Sequence, residues 1–274
     1  MKRGFAIHIG LQKTATTYLQ EILFPSIKNV LVIRGWHSHR RLISSNLEKQ
    51  IILSDEGLSG SLWNGNCLKE FQSNLKKIKR LYQSPKLIFG IRKQSSFILS
   101  VYKQYLQAQG SKELTYLFNE NNAGLLKKQD LLWMPRINFL KKEFKDVFIY
   151  SLEELSEREE DFVSGLCRFL AIKNERIGNG SKDQRPNTGV KTMAQVQALI
   201  RLNRLNQSLK KIHPQLSLYA KPLKRINITP RNFCQKGFMA RIPSRKFEMP
   251  EALKNFIDLY YRDDWEEAQK AISF

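Results

Sequence analysis

His8-Ile-Gly-Leu-Gln-Lys-Thr-Ala-Thr-Thr-Tyr-Leu-Gln20 joins a short apolar run to a polar turn and then to the start of a helical pattern. Upstream, Phe5-Ala-Ile-His-Ile9 is too short for a helix of comparable burial and reads as a buried strand. Downstream, Tyr18, Leu19, Ile22 and Leu23 recur at helical spacing. Such a strand-turn-helix junction aims backbone N–H groups and the positive end of a helix at an anion. Lys13 adds a point charge to the turn, and Thr14, Thr16 and Thr17 add hydroxyl donors. In chemical type the stretch is a phosphate cradle. It departs from G-x-x-x-x-G-K-[ST], whose lysine follows the second glycine, because Lys13-Thr14 is followed here by Ala15 and lacks that frame. No strand ends in the Asp that would hold Mg²⁺, so a nucleoside-triphosphate kinase falls to a weak alternative.

Outward from this stretch, Val30-Leu-Val-Ile33, Ile51-Ile-Leu53, Lys86-Leu-Ile-Phe-Gly-Ile91 and Val147-Phe-Ile-Tyr150 read as further buried strands. Helical spacing returns between them, in Phe97, Ile98, Val101, Tyr102 and Tyr105, and again in Phe162, Leu166, Phe169 and Leu170. This alternation predicts an α/β fold with a central parallel sheet flanked by helices, its ligands bound beyond the carboxyl ends of the strands. His8, inside the first strand, reads as a core histidine with its hydrogen bonds satisfied. Beyond about residue 171 the strand pattern stops. One helix carries Val196, Leu199, Ile200, Leu205, Leu209 and Ile212, and a last one after Pro250 carries Leu253, Phe256, Ile257, Tyr260 and Trp265. The expectation is one domain over 1–274, with an α/β core in 1–171 and a basic loop plus a helical C-terminal part in 172–274.

Charge is the outlier in the composition. Lys and Arg number 46 against 25 Asp and Glu, a formal net charge of +21. Gln184 to Phe247 holds 14 Lys and Arg and no acid, two-thirds of that excess. A polyanionic partner is implied. The basic residues form no RRM, KH or zinc-finger signature, so specific nucleic-acid reading is not expected. Cys67, Cys167 and Cys234 stand too far apart for a zinc or disulfide framework, which fits a reducing compartment. With no apolar stretch of transmembrane length, the expected location is cytoplasmic.

The cradle and one later motif resemble the sulfotransferase family. There, strand-Lys-[Ser/Thr]-Gly-Thr-Thr-helix forms the 5′-phosphosulfate loop. Lys13-Thr-Ala-Thr-Thr17 is similar, with Ala15 in place of the usual Gly, a small perturbation where φ is negative. The family's second motif is an Arg closing a later strand and a Ser eight residues on, in the next helix. Arg92 and Ser100 have that spacing and context. The resemblance extends along the chain to Ser54-Asp-Glu-Gly-Leu-Ser59, to Tyr150–Leu155 and to the loop around Arg185 and Asn187, and looks closest to bacterial members.

The resemblance implies transfer of a sulfuryl group from 3′-phosphoadenosine-5′-phosphosulfate (PAPS), leaving adenosine 3′,5′-bisphosphate, without a metal. The acceptor is a hydroxyl or amine on a small molecule or glycan, which can be anionic. It assigns Gln12, Lys13, Thr14, Ala15, Thr16 and Thr17 to the phosphosulfate, and Arg92, Ser100, Arg185 and Asn187 to the 3′-phosphate. Family members use a His or Glu base just beyond a central strand. Glu56 comes first for that role and Asp55 second, with His37 and His39 as rivals. Trp36 and Trp63 are candidates for stacking on adenine. The competing reading is a polyanion- or glycan-binding protein on the same fold, without catalysis.

Overall fold

The computed structural model describes residues 5–35, 49–82, 84–176, 189–213, 217–219, 229–236 and 242–274. Trp36, His37, His39, Arg185 and Asn187 lie outside the described residues.

Five strands, β1 Phe5–Gly10, β2 Val30–Arg34, β3 Gln50–Ser54, β4 Lys86–Ile91 and β5 Val147–Ser151, form one sheet. All neighbours are parallel, in the order β2-β3-β1-β4-β5. The short continuous apolar runs are explained by burial on both faces. Ala6, Ile7 and Ile9 of β1, Ile52 and Leu53 of β3, and Leu87, Ile88, Phe89 and Ile91 of β4 are all fully buried. Alternate residues serve opposite faces. Ala6, Ile52, Ile88 and Phe148 join Leu19, Leu23, Phe24, Phe162 and Leu166 in one apolar cluster. On β4, Phe89 meets Phe71 of the helix Cys67–Leu81, with ring centroids 5.7 Å apart.

The strand order reverses at β1. From β1 the chain runs to the far edge, returns through β3 to one side of β1, and then crosses to β4 on the other side. Ligands in open parallel sheets bind at the carboxyl ends beside such a reversal. The turn after Gly10, the pair Asp55-Glu56 and Arg92 follow the ends of β1, β3 and β4, three adjacent strands.

The chain divides into two compact units. The first comprises Met1–Phe97, Leu125–Pro186 and Ile257–Phe274 and holds the sheet; the second comprises Ile98–Gly124 and Asn187–Phe256. The helix Met193–Ile212 of the second unit opens on a capping box between Thr192 and Gln195. Its Asn203 Nδ2 donates to the carbonyls of Leu106 at 2.8 Å and Gly110 at 2.7 Å. No helix among the described residues is long and apolar enough to cross a membrane.

The single helix expected after Pro250 is two, Glu251–Tyr260 and Arg262–Lys270. Tyr261 interrupts them, buried, with its hydroxyl donating to the Lys128 carbonyl at 3.0 Å. The second helix brings Asp264 to the start of the helix Met134–Glu143, where its carboxylate accepts from the Trp133 and Met134 N–H groups at 2.9 and 3.0 Å. It also accepts from Gln94 Nε2 at 2.9 Å. One carboxylate thus caps a helix and ties it to the segment that follows Arg92. Asp264→Ala leaves these buried donors without an acceptor and is expected to cost about 2–4 kcal/mol. Urea denaturation checks this, and a loss below about 0.5 kcal/mol refutes it.

Candidate functional site

The turn after β1 is drawn tight over the end of the sheet. A Cβ on Gly10 would collide with Thr16 Cγ2, so only glycine lets the helix start return across the strand end. The Leu11 carbonyl accepts from both the Thr14 N–H, at 3.2 Å, and the Thr14 hydroxyl, at 2.7 Å. Lys13 and Ala15 both have positive φ, 71° and 63°. Positive φ on either side of Thr14, whose own φ is negative, bends the backbone sharply, and turns of mixed handedness present N–H groups in a concavity that suits an anion. Ala15 therefore does not have the negative φ at which its methyl is innocuous. It occupies the left-handed region, at about 1–2 kcal/mol for an L-residue, which is the physical reason for glycine there.

Ala15 also caps the helix that follows without a side-chain acceptor. The first-turn N–H groups of such a helix have no partner within it. The helix runs Thr16–Tyr18, widens into a π-helical turn over Leu19–Leu23 and closes as Phe24–Ser26. Pro25, which has no N–H to give back, sits where the register changes.

The threonines differ in what they offer. Thr14 is fully buried with its hydroxyl given to Leu11, so its contribution to the concavity is backbone. Thr16 is buried and donates its hydroxyl to Glu56 Oε1. Thr17 is half-buried. Gln12 Oε1 is buried and has no hydrogen-bond partner among the described residues, an open acceptor in the turn.

The two carboxylates after β3 separate cleanly. Asp55 caps the 3-10 turn Glu56–Ser59, accepting from the Gly57 N–H at 2.7 Å. Glu56 instead meets Thr16. Burial pushes the Glu56 carboxyl above the usual carboxylate range, the Lys13 ammonium pulls it back, and the Asp55 charge pushes it further up. A carboxylate biased toward neutrality beside a lysine has the character of an acid-base group.

Arg92, just past β4, reaches back to the same turn. Its Nη1 donates to the Lys13 carbonyl at 3.0 Å and its Nε to Ser96 Oγ at 2.8 Å. Burial works against the guanidinium charge, and Glu153 supports it. Glu153 Oε1 in turn accepts from the Lys93 N–H and the Ser96 hydroxyl, both at 3.2 Å. Ser100 is half-buried on the same helix, Gln94–Gln107, one turn beyond Ser96 and on the same face, and falls in the second compact unit. Ser96 was missed in the sequence although its signal was present: it is four residues from Arg92, in the first turn of the helix.

Beneath the turn lies a buried polar chain, also unexpected beyond His8 itself. His8 Nδ1 is 2.7 Å from Ser54 Oγ and Nε2 is 2.9 Å from the Tyr150 hydroxyl, which donates to the Thr14 carbonyl at 3.0 Å. Burial pushes the His8 imidazole down to about 3, so it is neutral, the satisfied core histidine expected. Trp63 is 38% exposed, in the loop after the Asp55-capped turn.

A glycine-floored turn with two left-handed residues, an uncapped helix start, a lysine and a half-buried arginine thus gather beyond the strand ends of an α/β protein, and their chemistry suits an anion. The fold is the sulfotransferase fold. A sulfotransferase from Alicyclobacillus acidocaldarius aligns at a TM-score of 0.50 and 13% identity, over 68% of this chain and 88% of its own. Mouse sulfotransferase SULT7A1 complexed with PAP aligns at 0.47 and 13% identity, over 95% of this chain and 83% of its own. A sulfotransferase domain from the curacin biosynthetic pathway aligns at 0.40 and 12%, over 95% of this chain and 98% of its own. No family model and no curated protein matches the chain in sequence.

Proposed function

We propose that this protein is a sulfotransferase using PAPS as donor and a hydroxyl or amine as acceptor. The observation that carries the reading is the hydrogen bond from Arg92 to the Lys13 carbonyl, which supports a common role for these two cations at the strand-order reversal. The donor supplies a sulfuryl group already carried on a phosphate leaving group. Lys13 neutralises the oxygen of that phosphate, and the amides of Ala15, Thr16 and Thr17, with Gln12, hold the phosphosulfate. Arg92 and Ser100 grip the 3′-phosphate, with Ser96 and Glu153 orienting the guanidinium. Arg185 and Asn187 belong to the same grip. Glu56 takes the acceptor proton, while Asp55 shapes the turn that presents it.

The fit rests on the chain's own features: helix-start donors without a side-chain cap and a half-buried guanidinium whose charge is opposed by its surroundings. We take the acceptor to be a small molecule or glycan, an anionic one being favoured by the acid-free segment. The helix within that segment exposes Arg201, Arg204, Lys210 and Lys211. All three cysteines are free and buried, in keeping with a reducing, cytoplasmic setting.

Calorimetry with adenosine 3′,5′-bisphosphate and with 5′-AMP tests the nucleotide assignment. Arg92→Ala is expected to weaken the bisphosphate by about 1.5–3 kcal/mol, the scale of a charged hydrogen bond. The loss for 5′-AMP is expected to be clearly smaller, reporting only the freed Lys13 carbonyl. Equal losses for the two ligands contradict a role at the 3′-phosphate.

A further inference from the structure

The polar chain under the turn has one consistent direction. A carbonyl only accepts, so the Tyr150 proton goes to Thr14, 3.0 Å away. The Tyr150 oxygen must then accept from His8 Nε2–H at 2.9 Å, which leaves Nδ1 of the neutral ring bare. Nδ1 accepts from the Ser54 hydroxyl at 2.7 Å, and Ser54 Oγ accepts from Gln20 Nε2 at 2.8 Å. Every donor points toward the turn, and the chain ends on the Thr14 carbonyl.

Two glycines make room for it. Gly10 and Gly90 are register partners on β1 and β4, and Gly90 is partnered by Tyr150 on β5. A Cβ on Gly90 would collide with the Tyr150 ring, and one on Gly10 would stand 3.2 Å from His8 Cε1. The sheet end is thus hollowed where the phenol and imidazole lie, and Tyr150 is fully buried there.

We propose that Tyr150, set by His8, is a positioning residue that aims the cradle. In a trans peptide the C=O of one residue and the N–H of the next point in opposite directions. Holding the Thr14 carbonyl down against the sheet therefore turns the Ala15 N–H outward, to the side where an anion approaches. It also holds Ala15 in its left-handed conformation, which an alanine does not adopt unaided. The consequence for the donor rests on the proposed function; the orientation of the turn does not.

Tyr150→Phe removes only the hydroxyl and keeps the ring against Phe162, at 5.4 Å between centroids. In the nucleotide-free protein, amide hydrogen exchange is expected to be about five- to tenfold faster over Leu11–Thr17, with β1 unchanged. Unchanged exchange in the turn overturns the proposal. So does a uniform acceleration across the sheet, which marks a merely structural tyrosine. Ser54→Ala, which frees His8 Nδ1 and leaves the Tyr150 bond in place, guards against a poorly folded first variant. It should give a smaller acceleration confined to the same turn, and none overturns the part given to His8. With adenosine 3′,5′-bisphosphate as probe, Tyr150→Phe is expected to raise Kd about five- to tenfold. An unchanged Kd where the wild type binds refutes the aiming role alone. A wild type that binds no bisphosphate refutes the donor reading instead, and the exchange measurement still decides whether Tyr150 orients the turn.

Discussion

Lys13→Ala is expected to lower turnover by about 10²–10³ while the protein melts as the wild type does, because one well-placed electrostatic group at a leaving oxygen has that value. The fold is spared for a specific reason. Position 13 has a φ of 71°, so alanine meets the same backbone strain as lysine, and the contact with Arg92 is made by the Lys13 carbonyl, which the substitution retains. Lys13→Arg should recover little, since a planar guanidinium does not reproduce a compact charge on a flexible stem. A second signature distinguishes this account from simple loss of binding. The Lys13 charge holds the Glu56 carboxyl down against its burial, so removing it lets that carboxyl rise further, and the acidic limb of the rate profile should move to higher pH. Turnover within a few-fold of wild type refutes the role of Lys13, as does an unshifted limb its pairing with Glu56.

Glu56→Gln is expected to lower turnover by about 10²–10⁴, the usual contribution of a general base. The wild-type rate should fall with acidification through the raised Glu56 pKa, since only the carboxylate accepts a proton. Stability should move the other way. A carboxyl whose folded pKa is raised stabilises the fold most below its unfolded pKa, and that contribution is lost as pH rises through the folded value. At neutral pH the ionised Glu56 is therefore a cost, and glutamine removes it while still accepting from Thr16. The variant should melt at the same temperature as wild type or higher at pH 7, with the difference closing in acid. Asp55→Ala, by contrast, removes the cap on Gly57 and should act chiefly on stability. Near-normal turnover in Glu56→Gln refutes the base assignment.

The strands were legible because a parallel sheet buried on both faces writes itself as short apolar runs, and those of β1 to β5 needed no further context. The helix Met134–Glu143 was not read. Its Arg136 is fully buried between Phe71 and Trp133 rather than exposed, which breaks the polar and apolar alternation by which such helices are found. At the site, Lys13, Glu56 and Arg92 were legible as chemistry at strand ends. Their arrangement was not, because it depends on strand order: β1 lies between β3 and β4, and nothing local in the sequence says so. The same holds for Tyr150, which reaches Thr14 across 136 residues of chain and two glycines. The backbone angle at Ala15 was likewise unreadable, since an alanine gives no sign of a left-handed conformation that only its surroundings enforce.

The most direct measurement is incubation of the purified protein with donor labelled in the sulfuryl group and a fractionated extract, following the label and the released adenosine 3′,5′-bisphosphate together. The account predicts label transferred to an acceptor with equimolar bisphosphate, and loss of both in Lys13→Ala. Tight bisphosphate binding with no transfer in any fraction would contradict catalysis and leave a nucleotide- and polyanion-binding protein on a sulfotransferase fold.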